Sequence, residues 1–368
     1  MMDFQELPSG ILLFSGATDW DDVGRKTNSL PRSPNTIWSP VRLAALAEIE
    51  IESVSSGSAA VHQFAVTTEG KVYAWGRNER GQLGLGDLRD RKCPNLITAL
   101  EEYRIVATAV GKGHSLFLTD KGQLLACGDN KCGQVGIKDA GQMVKTPQLV
   151  TYEGAPACRI SCGVEFSGMV DVQGNVWMWG SPDNGQCGNN TEGKFIEKAG
   201  KEAFHYVTEP TRINLFVEKD PKGKAVTPIP AVNVKEISCG NNHTVVIDDR
   251  YRAFSWGFGG YGRLGHSETS SELVPRLIKF LDGPRRGIRK VVAGGQFNLA
   301  ISEIPGTVYM WGQYTSAKEA NMYPKPITDL SGWAVRSLAC GTKGWQIAAD
   351  DSVIGCSPSP CYGELVSF

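Results

Sequence analysis

Short runs in which apolar and polar residues alternate, each closed by a glycine turn, recur along this chain, and "VYAWGRNERGQLGLGD" (Val72 to Asp87) is the clearest of them. Period-two alternation predicts half-buried strands, and Gly81, Gly84 and Gly86 predict tight turns behind the Trp-Gly pair. A glycine-rich loop after a strand can also cradle phosphate, but it then opens a helix whose N-terminus faces the anion. The segment that follows here, "LRDRKCPNLITAL", has a proline and no helical period.

Self-comparison explains the pattern better. The Trp-Gly glycine at Gly76 returns at Gly128 and Gly180, each 52 residues on, then at Gly257 after 77 and at Gly312 after 55. Degenerate copies lie at "LLFSGATDWDDVG" and "SVIGCSPSPCYGEL". A second half-unit precedes each copy, as in "AVGKGHSLFLTDKG" and "SCGNNHTVVIDDRY", and its aligned position runs His62, His114, Phe166, His243, Phe297, Gly344. Units of this size cannot cover their own apolar face and must stack. All-β units stack radially, so the fold expected is an all-β propeller occupying 1–368 as a single domain. In it Gly76, Gly128, Gly180, Gly257, Gly312, His62, His114 and His243 are structural repeat positions, and the tryptophans pack between blades.

The halves do not balance, with seven of the Trp-Gly type against six of the G-x-x-H type. Because closure removes open sheet edges, this count predicts an incomplete blade with an exposed strand edge, as in a truncated or alternatively spliced product. The long step between Gly180 and Gly257 predicts an inserted loop or hairpin over 189–234. Within it, Arg212 to Val232 reads as two alternating runs around an Asp-Pro-Lys-Gly turn, with Phe216 and Glu218 as candidate contact residues, either protruding or packed on the rim.

Composition narrows the partners. Lys+Arg 38 against Asp+Glu 39 gives a net charge of -1, and neither end is a basic arm, so direct nucleic-acid binding is not expected. No window approaches a membrane span, and "MMDFQELPSGILLFSG" lacks a signal peptide's charged and apolar regions, so a soluble intracellular chain is expected. The ten cysteines are scattered without zinc-knuckle spacing and read as reduced packing residues.

Candidate chemistry is sparse. His62, His114 and His243 invite a metal, but they occupy one position in three different blades and do not converge. Ser115, His114 and Asp120 lie close in sequence without a nucleophile elbow. The pairs Asp21–Asp22, Asp248–Asp249 and Asp350–Asp351 read as polar turns, since neighbours in a strand point to opposite sides. No cofactor and no covalent catalysis is expected. One departure from the repeat, "CGTKGWQIA", places Lys343 and Trp345 in a loop as candidate partner contacts.

The half-units A-x-G-x-x-H-S-L-x-L-T and W-G-x-x-x-x-G-Q-L-G resemble the regulator of chromosome condensation repeat, whose members form seven-bladed propellers. Strands from the two chain ends share one blade in that family, so the resemblance implies a seven-bladed β-propeller whose last or shared blade lacks its C-terminal closing half. The stretches "GATDWDDVGRK", "EGKFI", "FSWGFGGYGRLGH", "MYPKPITDL" and "SPSPCYGEL" are most similar to a mitotic branch of that family. The resemblance implies small-GTPase binding. The founding member exchanges nucleotide on Ran through acidic residues of its G-x-x-H loops and a projecting wedge. Two of those acidic positions fall at Lys112 and Glu165, and only Glu165 keeps the charge, so Ran itself is not the expected partner. The mitotic branch implies Rac, Ral or Arf GTPases, guanine-nucleotide exchange, and a monomer in nucleus and cytoplasm that joins mitotic chromosomes, centromere or spindle. The alternative is a non-catalytic scaffold for chromosomal or microtubule proteins. A plant photoreceptor of the family carries Gly-Trp-Arg-His-Thr, which is absent here; "SGWAVRS" around Trp333 is the nearest stretch.

Overall fold

Each repeat folds into one antiparallel sheet whose strands run outward from a central channel. The computed structural model describes residues 9–17, 36–197, 200–220, 225–314 and 320–356. Blade 1 comprises Ile51–Ser56, His62–Thr67, Val72–Gly76 and Arg91–Leu96, in that order from the channel outward. Blades 2 (105–149), 3 (157–212) and 5 (288–326) repeat the four-strand meander, and blade 4 (234–277) gains two further strands. Blade 6 (335–356) has three strands, Val335–Cys340, Trp345–Ala349 and Ser352–Cys356. At the other end Leu13–Ala17 pairs with Thr36–Arg42 in a sheet of two strands, and Gly10 bridges to Ile51 of blade 1. The seventh Trp-Gly half is therefore present as an outer pair with no inner strands among the described residues. "SPSPCYGEL" and most of "GATDWDDVGRK" lie outside the described residues.

Second strands are buried along their whole length in blades 2 to 5, as in His114–Thr119 and Phe297–Ser302, because both faces meet a neighbouring blade. Each outer strand has a proline, Pro94, Pro147, Pro210, Pro275 or Pro324, at the point where the ladder shifts register, and all but that of blade 4, which the insertion covers, face solvent. A residue without an N–H is tolerated there and discourages edge-to-edge pairing.

The seams between blades follow one recipe. Trp179 Nε1 donates to Gln134 O of the preceding blade at 2.9 Å, Trp256 Nε1 to Gln186 O at 2.8 Å, and Trp311 Nε1 to Arg263 O at 3.0 Å. The second glycine of each G-Q-x-G loop makes room for that indole: a Cβ on Gly136 would sit 2.6 Å from Trp179 Nε1, and one on Gly188 2.7 Å from Trp256 Nε1. In blade 2 Cys127 takes the tryptophan's place and its thiol donates to Gln82 O at 3.5 Å.

The repeat histidines form the second stitch. His62 Nε2 meets Ser115 Oγ at 2.8 Å and His243 Nε2 meets Asn298 Oδ1 at 2.9 Å, in each case across a seam. Because Ser115 Oγ itself donates to Gln82 O at 2.8 Å, the hydroxyl accepts from the histidine, which fixes the Nε2–H tautomer. Asn298 Nδ2 likewise donates to Arg263 O at 2.8 Å, so its Oδ1 is the acceptor. Burial pushes the imidazoles of His62 and His243 down to about 3, and that of His114 to about 4, so all three are neutral.

The insertion does not stand free. Val217–Lys219 pairs with Val226–Pro228 as a hairpin, and Val217 also pairs with Arg276 on the outer strand of blade 4. Lys219 Nζ donates to both carboxylate oxygens of Glu272 at 2.8 and 2.6 Å, and Arg276 Nη1 donates to Glu272 Oε1 at 2.8 Å. Phe216, read from sequence as a contact residue, is a correction: it is buried edge-to-face against Phe254, with ring centroids 5.3 Å apart, because the hairpin lies down on the sheet.

Candidate partner-binding face

Register places the G-x-x-H loops and the loops after Trp-Gly on one side of the wheel. His62 pairs with Gly76, His114 with Gly128, Phe166 with Gly180, His243 with Gly257 and Phe297 with Gly312, so both loop types leave each blade at the same end. The paired glycines hold positive φ, 109° at Gly76, and a Cβ there would come 2.6 Å from His62 Cα. Only glycine lets the third strand lie against the histidine at this point.

The loops knit the channel mouth. Lys112 N donates to Val164 O at 3.3 Å, and Val164 N to Asn241 O at 3.1 Å. Ser58 Oγ of blade 1 reaches Asn241 Oδ1 of blade 4 at 2.9 Å, and Thr342 Oγ1 of blade 6 donates to Ser58 O. Behind this rim lies a cavity of about 780 Å³ walled by the inner strands, including Ser161, Cys162, Cys239 and Cys340. Burial pushes the Cys239 thiol up to about 11, so it stays protonated.

Four of the sequence-predicted contact residues come together here. Lys112 and Lys343 are exposed, Glu165 is half-buried, and Trp345 lines the channel between Cys340 and Cys356 in one cross-strand row. Glu218 lies elsewhere, on the blade 4 insertion, where its Oε1 accepts from Lys279 Nζ at 2.5 Å. Ser115 is buried and its proton is committed to Gln82 O, while the neighbouring imidazole acts as donor. That geometry is structural and does not activate a nucleophile.

The insertion expected over 189–234 holds a hairpin on this face in addition to the one read from sequence over Arg212 to Val232. Between Gly180 and Val207, which pair with each other, the chain forms a second hairpin, Lys194–Ile196 with Glu202–Phe204. Phe195 stacks on His205 with centroids 4.1 Å apart, Lys194 Nζ and Glu202 Oε1 are 2.6 Å apart, and Ile196 is 74% exposed. At its base Cys132 Sγ lies 4.0 Å from Glu165 Oε2. Burial first, then the Glu165 charge, pushes the Cys132 thiol up to about 11. The signal was present as "EGKFI", but strands of three residues are too short for a period to register.

The comparisons agree with this architecture. The family described as RCC1-like domain matches residues 11–353. Mouse Protein RCC2 is 44% identical over 363 residues, covering 97% of this chain and 69% of the relative. Among solved structures, human WBSCR16 is similar with a TM-score of 0.72 at 20% identity, covering 96% of this chain and 89% of that one. Prp20p from Saccharomyces cerevisiae, described with its binding properties to Gsp1p and histones, is similar with a TM-score of 0.59 at 17% identity, covering 96% of this chain and 93% of that one.

Proposed function

This chain belongs to the RCC1-like domain family, and we propose that its G-x-x-H face binds small GTPases of the Rac, Ral or Arf type during cell division, at chromosomes or the spindle. The observation that carries this reading is the exposed hairpin, Lys194–Ile196 with Glu202–Phe204, standing beside the half-buried carboxylate of Glu165 on one rigid rim. An apolar tip next to an acidic, well-anchored base suits a partner that presents cations around a hydrophobic switch region. Lys112, in place of an acidic residue, favours a GTPase other than Ran.

Exchange on this reading is linkage and involves no covalent step. A surface that prefers the nucleotide-free GTPase weakens nucleotide binding by the factor by which nucleotide weakens its own. Release of fluorescent GDP from a Rac, Ral and Arf panel tests it. Acceleration by the native chain that falls about 10-fold or more with Ile196→Asp or Glu165→Lys supports exchange. Binding without acceleration leaves the scaffold for chromosomal or microtubule proteins.

A further inference from the structure

We propose that the blade 4 loop between Gly257 and Gly265 contains an oxyanion-binding site centred on Arg263, for a carboxylate or phosphoryl group. The position is a glutamine in blades 1 to 3, and there the side chain is engaged within its own loop. Gln82, Gln134 and Gln186 accept through Oε1 from the backbone N–H of Arg80, Cys132 and Asn184 at 2.8, 2.9 and 2.7 Å. Arg263 keeps the backbone half of the role, since its carbonyl receives Trp311 Nε1 and Asn298 Nδ2. Its side chain does something else.

Arg263 is 2% exposed, so its guanidinium is largely withdrawn from water. Nε donates to Gly260 O at 2.9 Å, and Cζ lies 4.8 Å from the Phe258 ring centroid and 5.7 Å from that of Tyr261. Among the described residues no carboxylate lies within ion-pair range of it, whereas the comparably buried Arg276 is paired with Glu272. Burial lowers Arg263 only to about 10, which leaves it charged at neutral pH. A buried cation held by one carbonyl and two ring faces lacks the anion that ordinarily offsets its desolvation. A guanidinium fork is suited to bidentate contact with carboxylate or phosphate oxygens.

The surroundings are specific to this blade. Phe258 and Tyr261 stand where blade 1 has Arg77 and Arg80. Tyr261 is 48% exposed and holds φ at 61°, a left-handed conformation that non-glycine residues adopt at a cost. The loop follows Trp-Gly and so lies on the same face as Glu165 and the hairpin, and the inference does not depend on the GTPase reading.

Titration of the full chain with inorganic phosphate and, separately, with acetate, followed by the indole Nε1–H resonance of Trp311 and the Nε–H of Arg263, tests it against chloride at equal ionic strength. The expected result is a saturable shift of both resonances in the native chain, with binding read from Trp311 weakening about 10-fold or more in Arg263→Gln, the residue of blades 1 to 3. Response to phosphate alone assigns a phosphoryl group, and response to acetate alone a carboxylate. Arg263→Lys, which keeps the charge and loses the fork, provides the second variant and is expected to bind more weakly than the native chain. No saturable shift with either anion, or an equal response in Arg263→Gln, overturns the site.

Discussion

His114 of blade 2 and Ser167 of blade 3 are joined Nε2 to Oγ at 2.9 Å, and that hydroxyl donates onward to Gln134 O of blade 2 at 2.8 Å. The seam is therefore a polar relay inside an apolar wall, in which each member orients the next and the far side of the ring, His114 Nδ1, has no hydrogen-bond partner among the described residues. His114→Ala opens a cavity and breaks the relay, and is expected to cost about 2–4 kcal/mol in denaturant unfolding. His205→Ala, at an exposed position, is expected to stay within about 0.5 kcal/mol of the native chain.

The same histidines set an acid limit. Folding holds His62 and His243 at about 3 and His114 at about 4, against an ordinary value of 6.5. Below 6.5 the unfolded chain takes up protons that the folded chain excludes, so stability falls as pH drops and the loss levels off near 3 to 4. The slope is up to about 1.4 kcal/mol per pH unit for each histidine. Unfolding midpoints compared between about pH 7.5 and about pH 5 measure it, and because burial also holds His266 at about 3, His243→Phe, which installs the residue of blades 3 and 5, reduces the slope by about a quarter.

Gly136 holds φ at 76° directly under the Trp179 indole. Gly136→Ala combines backbone strain with a clash 2.6 Å from Nε1 and is expected to lower stability by about 1–3 kcal/mol, read as a fall in melting temperature. Gly86→Ala, where the nearest atom is 3.5 Å away, carries the φ cost without the clash and is expected to fall less.

Glu272 is the hub that fastens the insertion to blade 4, its side chain 3% exposed between Lys219 and Arg276. Glu272→Gln leaves Lys219 without its carboxylate and Arg276 with Glu268 alone, and is expected to cost up to about 3 kcal/mol. Lys219→Met removes one cation and is expected to cost less. Proteolysis within the described strands of the insertion, Val217–Lys219 and Val226–Pro228, is expected to accelerate in the first variant.

The wheel was legible because its rules are local and repeated: Gly76, Gly128 and Gly180 recur at fixed spacing, and each is required by the strand beside it. The outer strands were less so, since half their residues face solvent and dilute the alternation; Pro94, Pro147, Pro210, Pro275 and Pro324 were their available mark. Phe216 was misplaced because an alternating run does not say whether its hairpin stands up or lies on a neighbour. The partnership of His62 with Ser115 was out of reach for a different reason. It joins residues 53 apart through a seam that exists only once two blades have stacked.

Glu165 and the hairpin at Ile196 are the residues on which the functional account rests. Hydrogen exchange of the full chain with and without a nucleotide-free Rac, Ral or Arf partner tests it most directly. The account predicts slowed exchange over 111–114, 163–166, 192–206 and 341–345, with the blade 4 insertion at 213–229 unchanged. Protection confined to 213–229 or to the opposite end of the blades, with the G-x-x-H loops exchanging as in the free chain, would contradict it.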